Sequence, residues 1–290
     1  MAAPFPLCYL NGKYLPIDEA RLSPFDRGFL FGDGVYEVMP VYAGRPFRFN
    51  AHVSRLSSSL GEIRMEDPHT PEEWREIIAK LIAPNGKADQ YVYWQVTRGA
   101  MLERNHAPLP NIPRTVFAFA SPFPKPSAEA VANGVACVTA HDTRWARCDI
   151  KSTSLLANVL LRQLAVEAGA NETILLREGE LTEGSASGVH VIVNGEIRTP
   201  PNSWLILPGT TRGAVEKMAD RLGIPHRAVN VTEAELRSAD EIWLSAAVRE
   251  MSCVTLLDGR RVGDGLVGPL YKRVREELER YKAELAEKPW

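Results

Sequence analysis

Three prolines fall within five residues in Ser121-Pro122-Phe123-Pro124-Lys125-Pro126-Ser127, and no other run limits the possible fold as strongly. Each proline removes a backbone donor and fixes φ, so neither a ladder nor a helix passes easily through the segment. The run is expected to be a stiff connector. It divides the chain into a smaller N-terminal domain over residues 1–120, a linker over 121–127 and a larger C-terminal domain over 128–290. With 290 residues in all, both parts are long enough to build a core.

Turn signals punctuate both parts. Asn11-Gly12, Glu178-Gly179, Asn194-Gly195 and Asp258-Gly259 each separate short apolar runs and imply antiparallel hairpins. Val53, Leu56, Leu60 and Ile63 share helical spacing over 51–65, with Arg55 off that stripe. Further helices are expected from Pro71, from the Lys151 region, after Gly209-Thr210-Thr211, after the capping-box match at Thr232, and from about 268. Hairpins mixed with helices, without regular strand–helix alternation, indicate an α+β fold rather than a doubly wound sheet.

The net charge of -2 gives no electrostatic case for nucleic acid or an anionic membrane surface. No apolar run approaches spanning length. The four cysteines, Cys8, Cys137, Cys148 and Cys253, are far apart, so a reduced, cytoplasmic protein is expected.

Chemistry is concentrated near Arg144-Trp145-Ala146-Arg147-Cys148-Asp149-Ile150-Lys151-Ser152. Read as extended chain, it points Asp149 and Lys151 one way and Ile150 toward the core. The following helix is expected to use Leu155, Val159, Arg162 and Val166 as its face. Of nine lysines, Lys13 sits in a hairpin turn, Lys125 between prolines, and six others on charged helices or at their ends. Lys151 alone has apolar surroundings. A buried lysine can be held neutral and nucleophilic, able to hold an aldehyde cofactor as a Schiff base. The competing reading is a buried, paired lysine without chemistry.

Other motifs fail on their own terms. Gly28, Gly32 and Gly34 lack the spacing of a dinucleotide fingerprint, and are expected to form a tight turn at positive φ. Asp26 to Glu37 has the length of a calcium loop, but Phe31 stands where that loop needs glycine. The six histidines show no metal-ligand spacing, so no metal site is expected. Gly184-Ser185-Ala186-Ser187-Gly188 superficially fits a nucleophile elbow, but it follows a hairpin turn.

The remaining features cohere around pyridoxal phosphate. Glu183 would keep a pyridine nitrogen protonated, or else is an exposed turn acid. Thr210 and Thr211 open a helix whose free N–H groups suit a phosphate, or else cap it with a hydroxyl. Arg55 would add counter-charge, or else is a solvated helix arginine.

At these residues the sequence resembles the class IV pyridoxal-phosphate aminotransferases, and among them the D-amino-acid transaminases. Five ordered blocks carry the likeness: Asp26 to Glu37, Gln95 to Gly99, Arg144 to Ser152, Leu181 to Ser187 and Leu207 to Arg212. The resemblance implies a two-domain, fold type IV enzyme. Lys151 would form the Schiff base and move the proton between Cα and the cofactor, and Glu183 would pair with the pyridine nitrogen. Arg55 and the amides of Thr210 and Thr211 would hold the phosphate. Arg144 would lie near the cofactor without a firm role.

D-amino-acid transaminases carry Arg-x-His in the long loop after Val-Thr-Arg-Gly, matched here by Arg104-Asn105-His106, with Tyr36 as companion. In that family these groups trap the substrate carboxylate from the neighbouring subunit. The resemblance therefore implies a homodimer with a shared active site. The implied reaction is ping-pong transfer from a D-amino acid to a 2-oxo acid, with D-alanine and 2-oxoglutarate as the default pair. Three departures stand out. Ala246-Ala247 replace frequent hydroxyl residues, Gly188 and His190 replace a frequent Asn and Phe, and the loop before Arg104 is longer. They leave open (R)-amine transaminase, branched-chain L-amino-acid transaminase, aminodeoxychorismate lyase, and a cofactor-binding protein without turnover.

Overall fold

Contacts divide the chain into two units: Met1–Pro124 with Ile150–Leu155 and Leu285–Trp290, and Lys125–Asp149 with Leu156–Glu284. The computed structural model describes residues 3–124, 126–287 and 290. Lys125 and Lys288, two of the lysines set aside above, lie outside the described residues. The division falls inside the 121–127 segment and differs from the sequence reading in one respect: the Lys151 segment groups with the first unit.

The first unit contains β1 (Leu7–Leu10), β2 (Lys13–Pro16), α1 (Arg27–Phe31), β3 (Gly34–Tyr42), β4 (Arg45–Pro46), α2 (Phe49–Glu62), α3 (Pro71–Ile82), β5 (Gln90–Thr97) and β6 (Thr115–Pro122). The strands form one sheet in the order β2-β1-β6-β5-β3-β4, and each neighbouring pair is antiparallel. Asn11 and Gly12 both take positive φ, 48° and 87°, as the tight hairpin turn requires. Strand β6 continues into the expected connector, because Ser121 and Pro122 stay in register with Tyr91 and Gln90. A proline is tolerated there because it ends the strand.

On β3 the residues Val35, Glu37, Met39 and Val41 alternate onto the buried face, beneath Val53, Leu56 and Leu60 of α2. The segment 150–155 joins this unit through its backbone. Tyr36 N donates to Lys151 O at 3.0 Å, Thr153 N donates to Gly34 O at 2.9 Å, and Val35 bridges Ser152. Ile150 is buried in the same core, as its alternation predicts. The expected positive φ holds at Gly32, at 66°. Gly28 has another reason to be glycine, since a Cβ there would overlap the Thr97 side chain.

The second unit contains α4 (Ala128–Asn133), β7 (Val135–His141), α5 (Leu156–Glu167), β8 (Glu172–Arg177), β9 (Glu180–Gly184), β10 (Gly188–Val193), β11 (Glu196–Thr199), α6 (Thr210–Leu222), β12 (His226–Ala228), α7 (Glu233–Arg237), β13 (Glu241–Ala246), β14 (Glu250–Leu257), β15 (Arg260–Arg261) and α8 (Pro269–Ala286). Its sheet runs β12-β11-β10-β13-β14-β7-β8-β9, with β15 beside β14. Hairpin pairs are antiparallel, while β14–β7 and β7–β8 are parallel. The structure thus combines segregated helices and hairpin-rich sheets, the α+β class.

Helix α5 buries Leu161 and Ala165 and leaves Leu156, Val159, Leu160, Leu164 and Val166 exposed. The face expected from Leu155, Val159 and Val166 is therefore not the buried one. Apolar residues surround this helix on most sides, and periodicity cannot choose among them.

Candidate active site

In the first unit, Lys151 leaves the backbone between an apolar anchor and a polar tether. Ile150 is buried on one side, and Lys151 N donates to Ser59 Oγ at 3.2 Å. Its Nζ lies 4.2 Å from the centroid of the Tyr36 ring, a cation–π distance. Tyr36 stacks on Tyr93 with centroids 5.6 Å apart, and Tyr93 stacks on Phe119 at 5.3 Å. The lysine thus stands against a rigid aromatic row on the sheet face opposite Glu37. Strand alternation creates this division, sending Tyr36 one way and Glu37 the other.

Arg55 is not a solvated helix arginine. It is buried, and its Nε and Nη2 donate to the Glu37 carboxylate at 2.7 and 2.8 Å. His52 Nδ1 lies 2.7 Å from the same carboxylate. Burial opposes ionisation of Glu37, but the Arg55 charge, its hydrogen bonds and His52 outweigh it. They draw the carboxyl down to about 2. A fixed, ionised partner holds the guanidinium plane in place. Sequence reading missed Glu37; the available signal was an acid among Val35, Met39 and Val41 on a buried strand face.

The loop groups Arg104 and His106 are exposed, and both lie against Phe31. The Arg104 guanidinium carbon is 5.2 Å from the ring centroid, and the His106 ring centroid is 5.3 Å from it.

In the second unit, Glu183 is a buried residue of β9 rather than an exposed turn acid. Its Oε1 accepts a short hydrogen bond from Arg144 Nη1, and its Oε2 accepts from Leu207 N at 3.3 Å. Arg144 is shared, because its Nε and Nη2 also donate to Asp142 at 2.9 and 2.8 Å. Burial raises the Glu183 carboxyl to about 7, and Arg144, divided between two carboxylates, only partly opposes that rise. The site lacks positive charge. A protonated pyridine nitrogen supplies a donor and a cation of that kind, so these residues fit pyridoxal phosphate. Arg144, which sequence reading left without a role, orients the carboxylate.

The turn after Glu183 is also held from below. Buried Glu172 accepts from Ser185 Oγ in a short bond and from Ser187 Oγ at 3.1 Å. At α6 the N-cap is Gly209, with no side-chain capping bond. Thr210 and Thr211 are therefore the first helical residues rather than hydroxyl caps, and their amides face the end of the helix dipole. Glu183 and Gly209 line one pocket, together with Leu207, Arg212 and His190. His190 Nε2 pairs with Ser245 Oγ at 2.9 Å, and burial, followed by the Arg212 charge, lowers its ring to about 3. The imidazole is neutral.

Comparison with known proteins agrees with this geometry. The family model for class IV amino-transferases matches residues 34–257. A D-alanine aminotransferase of Staphylococcus aureus is 39% identical over 274 residues, covering 94% of this chain and 96% of that protein. One from Bacillus licheniformis is 39% identical over 269 residues, covering 93% and 94%. The structure of a T.th. branched-chain amino acid aminotransferase with pyridoxamine 5′-phosphate superimposes with a TM-score of 0.89 at 30% identity. It covers 98% of this chain and 96% of its own.

Proposed function

Because the chain belongs to the class IV aminotransferases, we propose that it transfers an amino group between a D-amino acid and a 2-oxo acid on pyridoxal 5′-phosphate, with D-alanine and 2-oxoglutarate as the default pair. The D-alanine aminotransferases to which it is 39% identical support the substrate class. One observation carries the cofactor reading: Glu183, short of a cation, and the open N-terminus of α6 at Gly209 line the same pocket. That pocket offers a partner for a pyridine nitrogen and a seat for a phosphate.

When bound, the cofactor supplies an electron sink for the pair released at the substrate Cα. The Lys151 amine holds the cofactor covalently, takes the proton from the substrate Cα and returns it on the cofactor side. The Glu183 carboxylate, oriented by Arg144, keeps the pyridine nitrogen protonated. The amides of Thr210 and Thr211 bind the phosphate, and Arg55, aligned by Glu37, supplies counter-charge. Tyr36, Arg104 and His106 hold the substrate carboxylate, which selects the face presented to Lys151 and hence the enantiomer.

In this reading the enzyme is a cytoplasmic homodimer whose active site includes Arg104 and His106 from the neighbouring subunit. The exposed apolar side chains of α5 support association, since Leu156, Val159 and Leu160 are 73%, 60% and 61% exposed. Among the described residues no helix is long and apolar enough to cross a membrane.

A half-reaction tests the proposal. The holoenzyme is mixed separately with D-alanine, L-leucine and (R)-1-phenylethylamine, without acceptor, and the absorbance of the bound cofactor is followed. Bleaching by D-alanine alone is expected. Bleaching mainly by L-leucine or by the amine moves the activity to branched-chain or amine transamination, and silence from all three overturns the transaminase reading.

A further inference from the structure

The loop carrying Arg104 and His106 has little of its own to hold it. Residues 102–111 are all exposed, between buried Met101 and Ile112. Its main internal bonds are local, Asn105 N to Glu103 O at 3.2 Å and Ala107 N to Asn105 Oδ1 at 3.1 Å. A loop of this kind would sample many conformations.

One buried side chain reaches it. Arg27, 4% exposed, spends its whole guanidinium on fixed partners. Nε donates to Asp33 Oδ2 at 2.7 Å, Nη1 to the carbonyl oxygen of Asn105 at 2.6 Å, and Nη2 to that of His106 at 2.8 Å. The Nη1 group also lies 3.6 Å from Met101 Sδ. The planar fork therefore grips two consecutive carbonyls and sets the backbone from which Arg104 and His106 emerge. Phe31 completes the support, because its ring meets the guanidinium carbons of Arg27 and Arg104 at 4.9 and 5.2 Å.

Charge explains why the grip is firm. Asp33 Oδ2 also accepts from Arg98 Nε at 2.8 Å, so two guanidinium groups share one carboxylate. The surplus positive charge is buried and needs dipoles. Arg98 takes the carbonyl of Ile63 at 2.8 Å, and Arg27 takes those of the loop. If the loop moved away, a buried cation would lose two acceptors.

We propose that Arg27 is a positioning residue for substrate recognition: through the carbonyls of Asn105 and His106 it holds Arg104 and His106 where they meet the substrate carboxylate. This rests on the carboxylate-trap reading given above and extends it to a residue that touches neither substrate nor cofactor.

The test uses the holoenzyme with D-alanine and 2-oxoglutarate. Arg27→Lys keeps a cation beside Asp33 but cannot span two carbonyls, and Arg27→Gln removes the charge. Both are expected to raise KM for D-alanine about tenfold, the scale of losing a charge-assisted hydrogen bond, with a smaller change in kcat. Adding Arg27→Gln to Arg104→Ala should raise KM little beyond Arg104→Ala alone, because both act through one contact. Hydrogen exchange should speed up in the peptide over 103–107 of Arg27→Lys but not in β5. If Arg104→Ala raises KM while the Arg27 variants leave both KM and loop exchange unchanged, the inference is overturned and the carboxylate trap stands. If Arg104→Ala leaves KM unchanged, the trap itself is wrong and the inference falls with it. Independent, multiplying effects in the double variant also overturn it.

Discussion

Glu37 and Arg55 close a two-point ion pair inside the first unit, with the carboxylate fully buried and His52 on its second oxygen. The pair joins β3 to α2 and fixes a guanidinium that the sequence offered only as a helix surface group. Removing one partner strands the other charge, so Glu37→Gln should cost about 3–5 kcal/mol at neutral pH.

The pH dependence of that loss has a defined sign. The Glu37 carboxyl is lowered from 4.5 to about 2 in the folded protein. Its stabilisation is therefore complete above the unfolded value and disappears as pH falls through the folded one. Thermal unfolding of wild type and Glu37→Gln should converge between pH 4.5 and 2. A difference in midpoint that stays constant over that range would remove the ion pair as its source.

Glu183 has the opposite sign. In the cofactor-free protein its carboxyl is raised to about 7 by burial, so the neutral form is favoured. Its contribution to stability is full below the unfolded carboxyl value and is lost as pH rises through 7. Stripping the cofactor should leave a protein whose midpoint declines from pH 5 to 8 more steeply in wild type than in Glu183→Gln. In the loaded enzyme the same substitution should lower kcat by roughly 10²–10³, the usual scale for losing a preorganised electrostatic partner. A loaded variant with unchanged kcat would separate Glu183 from the pyridine nitrogen.

Lys151→Ala should yield a protein without the absorbance of covalently held cofactor, and turnover should fall by at least about 10³. Lys151→Arg is expected to be equally inactive, because guanidinium stays protonated and cannot serve as the nucleophile. Colour and activity surviving in either variant would mean that another amine does the work.

Arg104→Ala should raise KM for D-alanine by about tenfold or more, and leave the half-reaction with a simple amine nearly unchanged. An equal effect on both substrates would place Arg104 outside the carboxylate contact.

Much of this protein was determined by local sequence. The turn pairs at 11–12, 178–179, 194–195 and 258–259 became hairpins because positive φ is a local backbone property. Thr70 and Thr232 opened their helices with capping boxes for the same reason. Lys151 was legible by elimination, and Ile150 beside it by alternation. Tertiary structure decided what required distant partners. Glu183 reads locally as a turn acid, and only folding supplies the burial and the half-share of Arg144 that set its proton affinity. Arg55 reads as solvated until Glu37, 18 positions away, is folded beneath it. The buried face of α5 and the grip of Arg27 on residues 105 and 106, 78 and 79 positions along the chain, are likewise invisible to any local pattern. Periodicity and turn chemistry act over a few residues, whereas desolvation and charge sharing depend on whatever the fold brings alongside.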